Sequence, residues 1–254
     1  MPVVLIEKQT PQITVLTLNR PERRNALSLQ LLTELSAAIK MASDEPHERI
    51  LILRGAGAAF CTGLDLKEAA DQTKAHATAD MVAKTLIALS ETRLITIAAV
   101  HGAAVAGGAG IMSACDYVVA AERTKFGYPE TRRGLVAGLV MTFLRRQLRE
   151  RDIRELLLGA ELIGADRALQ MGLVNRVVPA ADVMKEAQAF ANSVLQGGPN
   201  AVRQTKRLIE ELWSTSVKRD VELALKHHMQ ARESAEAREG IAAFNEKRPP
   251  KWVV

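Results

Sequence analysis

The stretch from Leu94 to Cys115 constrains the fold most, because it contains no Asp, Glu, Lys or Arg. An uncharged stretch of this length either crosses a membrane or lies buried inside a protein. One histidine and several glycines interrupt it, charged residues flank it, and no second segment of this kind occurs. We therefore interpret it as a buried strand, a glycine-rich turn and a buried helix. We expect no membrane association and a cytoplasmic or matrix location.

Apolar runs rich in β-branched residues recur along the first two thirds of the chain, and helical patterns lie between them. Ser28 has the features of an N-cap, and apolar residues then recur at helical spacing over Leu31–Ile39. A second helix is predicted over Ala79–Ser90. Continuous apolar strands that alternate with helices predict a largely parallel sheet covered by helices. The predicted strands are Val3–Ile6, Ile13–Leu18, Ile50–Leu53, Ile95–Val100, Tyr117–Ala120 and Val174–Val178.

After about Arg151 the pattern becomes mostly helical. Gly197-Gly198-Pro199 interrupts it, and the chain ends in a basic tail that contains prolines. The predicted helices are Arg151–Leu158, Ala165–Met171, Ala181–Leu195, Ala201–Leu212 and Val217–Arg238.

The net charge of +5 and the pI of about 9.4 favour an anionic partner. Nucleic acid, an acidic membrane surface and a phosphorylated cofactor all fit that charge. Cys61 and Cys115 are the only cysteines, and no Cys/His cluster has metal-ligand spacing. We therefore predict two buried free thiols and no metal site. The first ten residues are predicted to form a strand and lack the order of a signal peptide.

Two glycine-rich segments, Arg54–Leu66 and Val100–Gly110, each follow a predicted strand. The second runs into a predicted helix, whose first N–H groups have no intrahelical partner. Two such loops that converge at the carboxyl edge of a sheet would offer two N–H donors to one oxygen, as in an oxyanion hole. Taken singly, each loop is more often a packing turn. Dinucleotide, P-loop, nucleophile-elbow and zinc-protease motifs are absent.

The order of the motifs resembles that of the crotonase (enoyl-CoA hydratase/isomerase) superfamily. Phe60–Glu68 resembles its first oxyanion-hole segment, and His101-Gly102 with Ala106-Gly107-Gly108 and Cys115-Asp116 resembles its second. Further matching pieces are Asn19-Arg20-Pro21, Asn25-Ala26-Leu27, Phe126–Glu130, Gly172–Asn175 and Glu246–Pro249. The resemblance extends from about Asn19 to the tail.

The resemblance implies an α/β fold, a spiral of repeated ββα units over residues 1–195. A helical region with the basic tail, 196–254, would follow and mediate trimers or dimers of trimers. The implied substrate is an acyl-CoA thioester. Coenzyme A would enter as part of that substrate, with no other cofactor and no metal.

For catalysis, the resemblance implies that the backbone N–H groups of Leu64 and Gly107 hold the thioester oxygen. Glu130 would exchange the proton at the α-carbon. Family hydratases pair two glutamates, and the first of them falls on Gly110, which has no side chain. One carboxylate suits a 1,3-proton shift, so isomerisation is slightly favoured. Hydration and retro-aldol-type cleavage stay open.

The resemblance also implies a set of substrate contacts. Arg23, Arg24 and Lys67 are candidates for the CoA phosphates, although a solvated basic face explains each one equally well. Asp65 is expected to brace its loop. The pocket walls are expected from Leu64 and from the segments 69–81 and 136–141. The predicted contacts are Arg23, Arg24, Ala26, Cys61, Gly63, Asp65, Leu66, Lys67, Gly108, Pro129, Thr131, Gly138, Phe244 and Lys247.

Two non-enzymatic functions stay open. An RNA-binding protein would fit the charge, but the basic residues are spread along the chain and aromatics make up only 4%. An acyl-CoA-binding relative without catalysis would fit the glycine at position 110. By position alone, Glu130 would be expected to be solvated or paired with Arg132 or Arg133. His101 is interpreted as a core histidine.

Overall fold

The computed structural model describes residues 2–69 and 72–253. Its strands are β1 (Val4–Thr10), β2 (Ile13–Leu18), β3 (Ile50–Gly55), β4 (Ile95–Val100), β5 (Ala103–Val105), β6 (Tyr117–Ala121), β7 (Lys125–Gly127), β8 (Ile163–Gly164) and β9 (Arg176–Val178). Its helices are α1 (Leu29–Asp44), α2 (Leu66–Ala69), α3 (Gln72–Glu91), α4 (Gly107–Ser113), α5 (Gly138–Gln147), α6 (Glu150–Gly159), α7 (Ala165–Met171), α8 (Val183–Leu195), α9 (Pro199–Glu211), α10 (Val217–Arg232) and α11 (Ala235–Glu246).

The main sheet has six strands in the order β1-β2-β3-β4-β6-β9. Only β1 runs antiparallel to its neighbour, and the other pairs are parallel, as predicted. Helix α8 covers one face with Val183, Ala187 and Ala191, and α1 and α3 cover the other. Since both faces are covered, every residue of β2 is buried. The continuous apolar runs in the sequence have this cause.

A second, three-stranded sheet, with the order β5-β7-β8, was not predicted. Its strands have only two or three residues each, so no alternation of apolar and polar residues can develop in them. The sheet lies where the candidate loops meet, because Cys61 pairs with Ala104 of β5 as an isolated bridge. Its strand β5 follows β4 in the chain and continues toward the site.

Most helix predictions are confirmed with shifted ends. The Ser28 Oγ accepts a hydrogen bond from the Leu31 N–H at 3.2 Å, so Ser28 caps α1 as expected. Helix α3 begins at Gln72, before the predicted Ala79. The apolar pattern missed its first turns because their described residues are mostly polar and exposed. Ala70 and Asp71, within the expected wall segment 69–81, lie outside the described residues.

The predicted single helix over Val217–Arg238 is wrong, because the structure has two helices there. Helix α10 ends at Arg232, and the Ser234 Oγ accepts a hydrogen bond from the Ala237 N–H at 3.0 Å to begin α11. Helical spacing of apolar residues continues across the break, which therefore left no mark in the periodicity. The break turns α11 onto the 3-10 turn at Thr131–Arg133, against which Gly240 packs closely.

Within the uncharged stretch, β4 and α4 are almost entirely buried, as predicted, and the segment between them forms β5 and is mostly half-buried. Among the described residues, no helix is both long enough and apolar enough to cross a bilayer. Both cysteines are buried free thiols, as predicted. Burial raises the pKa of each thiol to about 12.

Candidate active site

The loop after β3 runs as an extra strand between two neighbours. On one side the Cys61 N–H donates to the Ala103 O at 3.1 Å, and the Val105 N–H donates to the Cys61 O at 3.0 Å. On the other side the Leu27 N–H donates to the Gly63 O at 2.8 Å. The Asp65 N–H donates back to the Leu27 O at 3.0 Å. The loop is therefore fixed by backbone contacts on both edges.

Leu64 lies between two residues that bond to Leu27, so its own N–H points away from Leu27. This N–H donates to no acceptor among the described residues. Gly107 is the first residue of α4, and its N–H likewise has no acceptor there. Ala106, just before it, has φ of 51° and ψ of −126°, which turns the chain sharply into the helix.

The two free N–H groups lie close together because the loops touch at Gly63. A Cβ on Gly63, whose φ is +87°, would lie only 2.9 Å from the Ala106 Cβ and 3.4 Å from the Gly107 N. A Cβ on Gly108 would lie 2.3 Å from the carbonyl oxygen of Cys61. The close approach of the two loops therefore depends on glycines at both contacts. Two adjacent, unpaired N–H donors suit an oxyanion.

Both donors border a cavity of about 580 Å³. The structure brings most of the predicted contact residues to this cavity and leaves five away from its wall. The residues at the cavity are Arg23, Arg24, Ala26, Leu64, Asp65, Leu66, Lys67, Gly107, Pro129, Glu130, Gly138 and Phe244. The five that do not border it are Cys61, Gly63, Gly108, Thr131 and Lys247.

The five residues away from the wall have other contacts. Cys61, Gly63 and Gly108 form the packed layer behind the two donors. The Thr131 Oγ1 donates to the Leu157 O at 3.4 Å. Lys247 ends α11 in the left-handed conformation, with φ of 57°. The predicted substrate contacts of these five residues stay predictions.

Glu130 precedes the 3-10 turn at Thr131–Arg133, and its carbonyl accepts the N–H groups of Arg133 and Leu135 at 2.9 and 3.0 Å. In its side chain, Oε2 is buried without a hydrogen-bond partner. Burial raises the pKa of the carboxyl to about 7, although a backbone hydrogen bond and the charge of Arg133 act in the opposite direction. Such a group can both accept and donate a proton near neutral pH.

Arg133 was missed as a site residue. Its guanidinium lies 4.4 Å from the centre of the Phe244 ring, and Nη1 donates to the Pro129 O at 3.0 Å. Its Nε is buried without a partner. Burial lowers the pKa of Arg133, against the charge of Glu130. Arg133 is close to Glu130 in the sequence, but no sequence pattern indicated that its guanidinium would pack on the Phe244 ring.

The resemblance places the first glutamate on Gly110, and the Val140 side chain packs against this position. A Cβ on Gly110 would lie 2.4 Å from Val140 Cγ1 and 3.9 Å from Leu86 Cδ2. Gly110 is buried and does not border the cavity, whereas Val140 does. A carboxylate at position 110 would therefore collide with α5. Val140 therefore lies between Gly110 and the cavity, where a glutamate side chain at position 110 would have to stand.

The predicted wall 136–141 is largely confirmed, since Val136 to Val140 border the cavity. His228 of α10 also borders it and was missed. Its Nδ1 lies 3.3 Å from the Val136 O. Burial lowers the pKa of His228, and the nearby charge of Arg232 adds to this. No pattern in the sequence pointed to this histidine.

Basic side chains stand at the mouth of the cavity. The chain around Arg23 and Arg24 is fixed by buried Asn25, whose Nδ2 donates to the carbonyls of Ala56 and Ala59 at 2.9 and 2.8 Å. Arg23, Arg24 and Lys67 are exposed, and they form no ion pair with the residues that the structure describes. Three free cations at the rim suit a polyphosphate.

Asp65 braces its loop, as its position after the first donor suggested. Its Oδ2 accepts from Arg20 Nη2 at 3.0 Å, and its Oδ1 accepts from the Lys67 N–H at 3.3 Å. Burial pushes its pKa up, but the hydrogen bond and charge of Arg20 outweigh this and hold the pKa below its usual value. Asp65 is therefore an ionised structural group. His101 bonds through Nε2 to the Gly57 O at 2.8 Å and does not border the cavity.

Across residues 2–69 and 72–253, no group of three or more His, Cys, Asp or Glu side chains is arranged to hold a metal ion. The site described above consists of two N–H donors, one buried carboxyl, an apolar wall and a basic rim.

Comparison with known proteins places this chain in a family. The family model described as enoyl-CoA hydratase/isomerase matches residues 8–253. A Thermus thermophilus protein, provisionally named an enoyl-CoA hydratase, is 37% identical over 98% of this chain and 100% of its own length. The crotonyl-CoA hydratase of Syntrophomonas wolfei is 31% identical over 98% of this chain and 97% of its own. The crystal structure of an enoyl-CoA hydratase from Mycobacterium avium superposes with a TM-score of 0.87 at 32% identity, covering 99% of each chain. The chain belongs to the enoyl-CoA hydratase/isomerase family and has the crotonase fold.

Proposed function

We propose that this protein isomerises an enoyl-CoA thioester by moving its double bond into conjugation with the carbonyl. Glu130 is the acid–base group, and the N–H groups of Leu64 and Gly107 form the oxyanion hole. Glu130 removes a proton from C2 of a 3-enoyl thioester, and the electron pair moves onto the thioester oxygen. The dienolate then takes the proton back at C4, which yields the 2-enoyl product and regenerates the carboxylate.

The single observation that carries this proposal is the packing of Val140 where the family's first glutamate would stand. The other carboxylates at the cavity are not equivalent to Glu130, because Asp65 is paired with Arg20 and Glu22 is exposed at the rim. One proton shuttle is sufficient for a 1,3-shift, whereas positioning a water and protonating carbon are two separate tasks. The pKa of about 7 for Glu130 suits a group that alternates between base and acid.

Hydration of a 2-enoyl thioester is the second candidate. It is supported by the names of the relatives, among them the crotonyl-CoA hydratase and a mevalonyl-coenzyme A hydratase of Aspergillus fumigatus that is 35% identical over 98% of this chain and 94% of its own length. In this reaction Glu130 would have to activate the water without a second carboxylate. Retro-aldol-type cleavage and acyl-CoA binding without catalysis are weaker, since no further observation favours either.

A paired absorbance assay separates these reactions. A 3-enoyl-CoA whose conjugated-thioester absorbance rises with the enzyme would demonstrate isomerisation, and a 2-enoyl-CoA whose absorbance falls would demonstrate hydration. Glu130→Gln should lower either activity by about 10²–10⁴-fold. If Glu130→Gln turned over every thioester that it binds as fast as the wild-type protein does, the assignment of Glu130 would be wrong.

We further propose that Arg23, Arg24 and Lys67 bind the CoA phosphates, and that CoA is part of the substrate with no additional cofactor. Free CoA should therefore inhibit, and raising the salt concentration should weaken that inhibition. RNA binding would show the same salt dependence but would not compete with CoA. Selective RNA binding that CoA leaves undisturbed would favour the nucleic-acid function.

We also propose a homo-oligomer, a trimer or a dimer of trimers. Helix α9 has no buried residue, and Leu208, Ile209 and Leu212 at its end are more than half exposed. An apolar helix face of this kind is typical of a surface that another subunit covers. Light scattering on the purified protein would give the subunit number, and a monomer at all concentrations would refute the proposal.

A further inference from the structure

His228 is a buried polar side chain in a cavity wall that is otherwise mostly apolar. It is 8% exposed and borders the cavity beside Val136, whose carbonyl it contacts. Val136 begins the wall segment that ends at Val140, the residue that fills the place facing Gly110. The histidine therefore contacts the apolar wall segment that includes Val140.

The contact with Val136 fixes which nitrogen of the ring carries hydrogen. A carbonyl oxygen can only accept, so Nδ1 at 3.3 Å must be the donor. Burial and the charge of Arg232, one helical turn away, both disfavour a second proton on the ring. In the neutral ring that results, Nε2 carries a lone pair and acts as an acceptor.

Nε2 has no hydrogen-bond partner among the described residues. The buried polar atoms that lack a partner do not include Nε2, so this atom is accessible to solvent. It therefore reaches open space, and the open space that His228 borders is the substrate cavity. An acceptor that waits in an apolar cavity is matched by a donor on the bound molecule.

We propose that His228 is a specificity residue that selects acyl groups carrying a hydroxyl, which donates to Nε2. This proposal rests on the proposed function, because it assigns the acyl group of that same thioester. A carboxylate on the acyl group would face the lone pair of Nε2 and be repelled. A purely apolar acyl group would strip water from Nε2 without replacing the hydrogen bond, which disfavours it on the order of tenfold to a hundredfold.

The test uses pairs of enoyl-CoA thioesters in which a terminal hydroxyl replaces a terminal methyl, so that the two members have nearly the same size. A series of 3-enoyl chain lengths scans the distance from the thioester to His228. For at least one pair we expect kcat/KM to favour the hydroxylated member by about tenfold or more. No preference in any pair would overturn the proposal.

Three variants identify the atom responsible. His228→Phe removes both nitrogens, and His228→Asn keeps a donor for Val136 but has no acceptor in the place of Nε2. Both should reduce the preference to about onefold, because the apolar member no longer strips water from Nε2 and its kcat/KM should rise toward that of the hydroxylated member. His228→Gln extends an amide oxygen toward the place of Nε2 and should restore part of the preference. A preference that persists in His228→Phe and His228→Asn would refute the role of Nε2.

The same design separates this proposal from the proposed function. If wild-type protein turned over none of these thioesters, the proposed reaction would fail. The role of His228 would then be decided by the ratio of dissociation constants for the matching saturated acyl-CoA pairs. A ratio near one for every pair would overturn it, and a hydroxyl preference lost in His228→Phe would support it.

Discussion

Replacing Glu130 by Gln should make the protein more stable at alkaline pH while it removes activity. Burial raises the pKa of Glu130 from an ordinary value of 4.5 to about 7 in the folded chain. Between these two values the folded state binds more protons than the unfolded state, so the free energy of unfolding falls as pH rises through that window. The rise from 4.5 to about 7 corresponds to a cost of about 3 kcal/mol for ionising this carboxyl in place.

The magnitude is best measured as a difference between wild type and Glu130→Gln. Urea unfolding at fixed protein concentration, over about pH 5 to pH 9, gives the free energy of unfolding for each. Near the acid end both side chains are neutral in the folded state, so the difference that remains there reports mainly the cost of the amide, together with a small ionisation contribution because the unfolded carboxyl has an ordinary pKa of 4.5. Toward the alkaline end the variant should gain up to about 3 kcal/mol relative to that baseline.

Glu161→Gln is the matched control, because the Glu161 side chain is 82% exposed and, among the described residues, its one ion pair is with Arg132 at 3.8 Å. Its difference from wild type should stay flat across the same pH range. A flat profile for Glu130→Gln as well would mean that Glu130 ionises as freely as a surface carboxylate. The burial argument, and with it the reason for assigning the proton shuttle to Glu130, would then be wrong.

Three further predictions concern the surroundings of this carboxyl. Gly110→Glu alone should destabilise the fold, because its Cβ would lie 2.4 Å from Val140 Cγ1. Gly110→Glu combined with Val140→Ala should fold, and it should raise the ratio of hydration to isomerisation in the paired absorbance assay. Arg133→Met should move the acid limb of the kcat/KM profile to higher pH, since the arginine charge lowers the pKa of the carboxyl. Gly108→Ala should cost about 1–3 kcal/mol in urea unfolding and lower kcat, because it forces the two donor loops apart.

Each of these has a control within the chain. Arg132→Met removes an exposed arginine that contacts Glu161 and the Gly159 carbonyl, and it should leave the pH profile in place. Gly159→Ala adds a Cβ that meets nothing within 4 Å, and it should unfold no more readily than wild type. An equal effect from a control and its partner would show that the change acts through general destabilisation. An unchanged ratio of hydration to isomerisation in the double variant would refute the role assigned to Val140.

The sheet was predictable because its strands are buried on both faces and leave continuous apolar runs, as at Ile13–Leu18 and Ile95–Val100. The two donor loops were predictable for a related reason. Their close approach requires glycines, and glycines are visible in a sequence. The division at 195/196 stays a prediction. The short second sheet and the break at Ser234 were missed, because neither interrupts the spacing of apolar residues.

The site was less predictable wherever a role depends on a neighbour that is distant in sequence. Glu130 and Arg133 lie in one turn, but Phe244, under the guanidinium, comes from the last helix. His228 enters from α10 and meets Val136 only through the packing of α10 on α5. Resemblance identified the residues that the family shares. It could not identify a histidine or an arginine whose importance comes from this chain's own packing.

Two features of the site, the glycine at position 110 and the buried carboxyl at position 130, meet at one cavity with an apolar wall. A carboxylate at Gly110 would bring water and a second charge into the cavity, but Val140 occupies that place instead. The wall that carries Val140 borders the same cavity as Glu130, and burial is the main cause of the raised pKa of Glu130. The cavity therefore combines one buried carboxyl with an apolar wall that leaves no room for a second carboxylate at position 110. This packing suits chemistry in which one proton leaves carbon and the same proton returns to carbon.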